Sequence, residues 1–134
     1  MIETLNPKNY QLLLLGGQDE KELITGLCRR YKFLINTGYN NSLVEFAAIV
    51  NLSDIIITAD TLALHIGTAL NKKIIALFGP TSTSEIDLFG RGKKVTAPDD
   101  CKCYYNKHCS EKVRCMEKIT SGMVMKAISK IEKL

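Results

Sequence analysis

Nothing in this chain is apolar over a long enough run to cross a bilayer: its hydrophobic stretches are short, whereas a crossing helix needs roughly 20 apolar residues. The first residues, Met1 to Gln11, lack the basic segment and extended apolar stretch of a secretory leader, so a cytoplasmic protein is expected. There is no internal repeat and no low-complexity linker. Lysine and arginine are not interleaved with aromatic residues in an RNA-binding pattern, which sets nucleic acid aside as a partner. Extremes of composition are missing too. At 46% hydrophobic and 24% charged residues the chain is neither disordered nor fibrous, and 134 residues suffice for one core but not for two ordinary domains.

The net charge of +4 is unevenly divided. Residues 1–90 carry 7 Lys or Arg against 9 Asp or Glu, and residues 91–134 carry 11 against 5. A basic C-terminal third suits an anionic substrate or an acidic membrane surface, although a solvated charged face is the commoner meaning of such a bias.

Strand and helix signals alternate from Tyr10 to Phe78, the pattern of a parallel sheet with helices on its faces. Gln11 to Leu15 reads as a buried strand ended by Gly16-Gly17. A helix is expected from about Asp19 to Arg30, with Leu23, Ile24, Leu27 and Cys28 on one face, and a second strand from Tyr31 to Ile35. Ser42 and Glu45 stand at capping-box spacing, and the helix they open is expected to bury Leu43, Phe46, Ala47 and Val50. Asp54 to Thr58 gives a third strand, about Thr61 to Leu70 a third helix, Lys73 to Phe78 a fourth strand and Lys94 to Ala97 a candidate fifth. In the last helix, over 120–133 with Thr120 as cap, Ile119, Met123, Ala127, Ile128, Ile131 and Leu134 recur at helical spacing. A single domain spanning 1–134 follows, with a cysteine-rich loop at 99–118.

Three clusters follow strand ends, where open parallel sheets bind their ligands. Asp60-Thr61 opens the third helix, whose unpaired amides and dipole favour an anion, and His65 lies one turn further on the same side. On these residues alone, a plain N-cap with an interior histidine is the commoner arrangement. Gly79-Pro80-Thr81 combines close backbone approach, a stiff turn and, with Ser82, Thr83 and Ser84, a run of hydroxyls; an ordinary turn is the bland alternative. Gly16 and Gly17 with Asp19 and Glu20 offer carboxylates able to accept hydrogen bonds from ribose hydroxyls. Together the clusters point to a nucleotide or sugar-phosphate site on one sheet edge.

Cys101, Cys103, Cys109 and Cys115, with His108 beside them, are enough thiols for a tetrahedral zinc site in a compartment that disfavours disulfides. The usual pair of two-residue-spaced knuckles is missing, which favours packed or redox-labile thiols instead. Cys28 reads as core.

The order Leu14-Leu15-Gly16-Gly17-x-Asp19-Glu20, Ser42-Leu43-x-Glu45, Asp60-Thr61-x3-His65-x2-Thr68-Ala69 and Ala76-Leu77-Phe78-Gly79-Pro80-Thr81 resembles the C-terminal half of the family 9 glycosyltransferases, the lipopolysaccharide heptosyltransferases. The segment from Cys101 through Cys115-Met116 to Ile119-Thr120 is similar to their heptosyltransferase II branch. The likeness covers nearly the whole chain and is most specific from Asp60 to Thr81.

That resemblance implies a two-domain GT-B enzyme, transferring heptose from ADP-heptose to the lipopolysaccharide inner core with inversion and without a metal. This half would be Rossmann-like, a parallel sheet with helices on both faces. Asp60, Thr61 and His65 would line the diphosphate and sugar end of the donor, Gly79 and Thr81 would approach from the next strand, and Gly16, Gly17, Asp19 and Glu20 would lie at the ribose. No catalytic residue is expected in these residues, because the acceptor-binding domain and its base have no counterpart here. The first strand of the donor half, central in a doubly wound sheet, has none either. Leu62 stands where the family usually has glycine, placing a side chain beside the phosphates. Contact with the inner face of the inner membrane and self-association through open strand edges belong to the same expectation. Two other readings stay open: a non-catalytic remnant or interaction module, and a small zinc-binding protein.

Overall fold

The computed structural model describes residues 2–5, 9–98 and 112–132. They gather into two compact units, Ile2–Leu52 and Ser53–Leu134.

The first unit holds β1 (Leu12–Leu14), α1 (Lys21–Arg30), β2 (Leu34–Asn36) and α2 (Leu43–Leu52). β1 and β2 pair in parallel, Leu12 opposite Leu34, with α1 as the crossover packed on β2. Ile24 is the buried anchor of α1. Leu23, expected on the same face, is instead 64% exposed, because the buried stripe of this helix is narrower than its apolar sequence. β2 begins later than Tyr31. The amide of Tyr31 donates to the Leu27 carbonyl and that of Leu34 to the Tyr31 carbonyl, so the exit of α1 continues as a turn and uses up the first residues of the apolar run. α2 starts at the expected capping box, where the Ser42 amide donates to Glu45 Oε2 at 2.8 Å and the Glu45 amide to Ser42 Oγ at 3.3 Å. Its burial fades from Val50, fully enclosed, through half-buried Phe46 and Ala47 to Leu43, which is 62% exposed rather than buried as its spacing suggests.

The second unit holds β3 (Ile55–Ala59), α3 (Leu62–Ala69), β4 (Lys73–Phe78), β5 (Gly92–Thr96) and α4 (Ser121–Ile131). The strands form one parallel sheet in the order β3-β4-β5. β5 starts at Gly92, two residues before the expected Lys94. β4 is central, and its continuous apolar run is what a strand covered on both faces requires: Ile74, Ile75, Ala76 and Phe78 are all buried. α3 covers the face that carries Ile56 and Ile74, lying so close that a Cβ built on Gly67 would be 2.6 Å from Ile56 Cδ1. Successive strand residues point to opposite faces, so Lys73 shares its side with Ile75; its Nζ donates to the Ile131 carbonyl at 3.2 Å, which puts α4 on that other face. Val124, Ala127, Ile128 and Ile131 form the buried stripe of α4. Thr120 caps it as expected, its Oγ1 accepting from the Met123 amide at 3.3 Å.

Among the described residues the strands fall into two sheets, β1-β2 in the first unit and β3-β4-β5 in the second. No described helix is long and apolar enough to cross a membrane.

Candidate functional site

β3 and β4 run side by side in register, Thr58 opposite Ala76 and Ala59 opposite Leu77. The segments that leave their carboxyl ends therefore start from one rim of the sheet: Asp60-Thr61 into α3, and Gly79-Pro80-Thr81 into the loop before β5. Two of the three expected clusters are thus brought together. The third, at Gly16 to Glu20, follows β1 in the first unit.

At the α3 end, Thr61 is the N-cap in extended conformation, φ −141° and ψ 178°, but its side chain does not cap the helix. Thr61 Oγ1 instead shares a 2.9 Å hydrogen bond with Thr58 Oγ1. The Leu64 amide donates to the Thr61 carbonyl at 3.0 Å, while no side chain of Thr61 caps the first turn at the positive end of the α3 dipole, a place that favours an anion. His65 is 63% exposed at its side chain, which rules out the interior histidine. Its Nε2 stands 3.8 Å from Oδ1 of Asp60, whose side chain is 26% exposed, so the two groups sit side by side at the helix start. Leu62, the first helical residue, is 55% exposed next to it.

At the β4 end, Phe78 anchors the strand in the core and the chain turns at once into a half-buried hydroxyl-rich segment, Thr81 to Thr83. Ser82 and Ser84 hydroxyls bond each other at 2.7 Å. Lys94 of β5 donates its Nζ to the Thr83 carbonyl and braces the loop from the next strand. Sequence reasoning missed Lys94, because its neighbour lies 11 residues away and only the β4–β5 pairing brings them together. Thr58 was missed as a partner of Thr61, although it stands in the same Thr58-Ala59-Asp60-Thr61 run.

In the first unit, the Gly17 amide donates to Glu20 Oε2 at 2.8 Å. Glu20 thus closes its own turn, and Asp19 is the more available carboxylate of the two. Beside it lies a polar network that the sequence did not announce. Gln18 Nε2 donates to Asn40 Oδ1, Asn36 Nδ2 donates to Tyr39 Oη, and the Tyr39 hydroxyl shares a 2.8 Å bond with Thr25 Oγ1. Its one sequence signal was the polar loop Asn36 to Asn41 after the second strand.

Of the proposed zinc ligands, Cys101, Cys103 and Cys109 lie outside the described residues, as does His108. Cys115 is described: its thiol is partly buried, with Sγ packed near Gly79 at the start of the loop after β4.

Parallel strands, helices on both faces of β4 and ligand-type loops at the carboxyl ends define one half of a GT-B glycosyltransferase fold. The chain is similar to the structure of E. coli ADP-heptose lipopolysaccharide heptosyltransferase II, with a TM-score of 0.67 and 18% identity over 93% of its own length. It spans 38% of that protein's chain. By sequence, the chain belongs to glycosyltransferase family 9 (heptosyltransferase), whose family model matches residues 1–119. No curated protein matches it.

Proposed function

We propose that these residues are the donor-binding part of a heptosyltransferase, holding ADP-heptose or a related nucleoside-diphosphate sugar for transfer to the lipopolysaccharide core. The observation that carries this is the rim where β3 and β4 end together. There the uncapped start of α3, with Thr61 and His65, stands on one strand, and the hydroxyls around Thr81 stand on the next. A diphosphate is the group such a rim suits, since amide and hydroxyl donors aimed at its oxygens stabilise the charge that grows as the sugar departs. Asp60 stands beside His65 at the same rim, within reach of hydroxyls on the sugar. The acceptor and the base belong to the part of the enzyme that these residues do not span, and the donor chemistry proposed here uses no metal.

Calorimetric titration with ADP and ADP-sugars tests this. Binding should be seen with the intact chain, and ADP-sugar binding should weaken about tenfold in Asp60→Ala, the effect of losing one hydrogen bond from a sugar hydroxyl to the carboxylate. No heat with any adenine nucleotide, or equal affinity in the variant, would refute the donor site.

One observation favours a second reading, an interaction module: α2 exposes Leu43, Val44 and Leu52, at 62%, 79% and 78%. Self-association without nucleotide binding would support it.

A further inference from the structure

We infer that the short turn Cys115–Lys118 positions the loop after β4, with Met116 as the side chain that holds it. As a statement about donor binding this rests on the proposed donor site; as a statement about the loop it stands on contacts alone. Among the described glycines, only Gly38 and Gly90 have positive φ, so no left-handed backbone demands glycine at 79. Space does. A Cβ built on Gly79 would lie 2.8 Å from Met116 Cγ, 3.0 Å from Met116 Sδ and 3.2 Å from Cys115 Sγ, all nearer than ordinary contact.

The thioether of Met116 therefore lies directly on the Gly79 backbone, although 37 positions separate the two in sequence. Methionine suits that task because its flexible, polarisable chain moulds to an irregular surface. The turn that presents it is itself closed, the Glu117 amide donating to the Arg114 carbonyl at 3.0 Å and the Ile119 amide to the Met116 carbonyl at 3.3 Å. On the far side of the loop, Lys94 holds the Thr83 carbonyl. The hydroxyls of Thr81, Ser82 and Ser84 are thus fixed from both ends, by an apolar contact where the chain leaves β4 and a hydrogen bond near the loop's middle. Donors held in place beforehand need not be ordered when an anion binds, which is where preorganisation adds affinity. The basic C-terminal segment then has a role in the site without touching the ligand: its Met116 is a positioning residue.

Two measurements on the full chain test this: hydrogen exchange at the Thr81–Ser84 amides, and ADP titration. Met116→Ala should speed exchange in that loop several-fold while α3 stays protected, and Met116→Leu should keep the wild-type rate. Gly79→Ala should weaken ADP binding, and adding Met116→Ala to it should recover about tenfold, because contacting residues couple through the space they share. Unchanged loop exchange in Met116→Ala, or a double variant that binds no better than Gly79→Ala, overturns the positioning role. The exchange readout needs no nucleotide. A chain that shows the expected exchange pattern but binds no ADP would overturn the donor site while the positioning of the loop stands.

Discussion

Leu62, where the family resemblance leads one to expect glycine, stands 55% exposed at the first position of α3. A side chain at that position takes up room beside the amides that an anion would meet. Leu62→Gly should therefore raise ADP affinity about fivefold, roughly 1 kcal/mol. The same change should lower the melting temperature, since glycine is a poorer helix former by about 1 kcal/mol. Titration and thermal melting on one sample separate the two effects, and an unchanged affinity would show that Leu62 does not crowd the site. Ser42 and Glu45 make a second prediction at this scale. Hydrogen bonds from the Ser42 hydroxyl and amide hold the Glu45 carboxyl below its usual range. A depressed folded-state value means the contribution to stability is present at neutral pH and is lost as pH falls through that range. Ser42→Ala should thus lower the melting temperature of the chain at pH 7. Melting curves should show that difference shrinking below about pH 4, where glutamate in the unfolded chain already binds its proton and the folded carboxyl follows at lower pH. A difference that stays constant into acid would mean the carboxylate takes no part in the cap.

Among the elements, those whose local signals agreed were legible in the sequence. β4 announced itself as an apolar run between a polar turn and Gly79, and α4 as a capped helix with a repeated apolar stripe; β4 is buried at Ile74, Ile75, Ala76 and Phe78, and of the stripe expected on α4, Ala127, Ile128 and Ile131 are buried while Ile119 and Met123 are half-buried. The rim was legible for the same reason, because strand ends were clear and parallel neighbours share an edge. What covers a face was not legible. Periodicity gives the direction of an apolar stripe but not the presence of a partner over it, and so Leu23 and Leu43 were expected inside and stand outside. Contacts between distant segments were equally hidden: Met116 on Gly79 and Lys94 on Thr83 exist only once the sheet is assembled. α2 is the extreme case. It is apolar on nearly every side, yet only Val50 is fully buried, and within its own unit it makes slight contact with the other elements. An apolar helix face in water favours association. Sedimentation at rising concentration should show oligomers of the intact chain, and Val44→Lys with Leu52→Lys should return it to monomer without loss of helical circular dichroism. Monomer at every concentration would show that α2 is not a self-association surface.

At the scale of the whole molecule, the residues hold a rim suited to an anion, but they span 38% of the heptosyltransferase they resemble. Binding and turnover should therefore separate. Holding the donor contributes to catalysis only when a nucleophile is placed against its anomeric carbon, and that placement accounts for several kcal/mol of the barrier. Nothing among the donor-side groups, Asp60, Thr61, His65 or Thr81, is proposed to supply it. The 134-residue chain should bind ADP-heptose yet transfer no sugar to a lipopolysaccharide core acceptor, even at high protein concentration. Addition of a separately expressed acceptor half from a family 9 enzyme should restore transfer, and Asp60→Ala should lower that restored activity about tenfold at donor concentrations below saturation while leaving the two halves able to associate. Radiolabelled sugar incorporation measures the first, and co-purification the second. Turnover by the chain alone would mean that the acceptor site and its base lie within these residues after all; transfer indifferent to Asp60 would place the donor elsewhere.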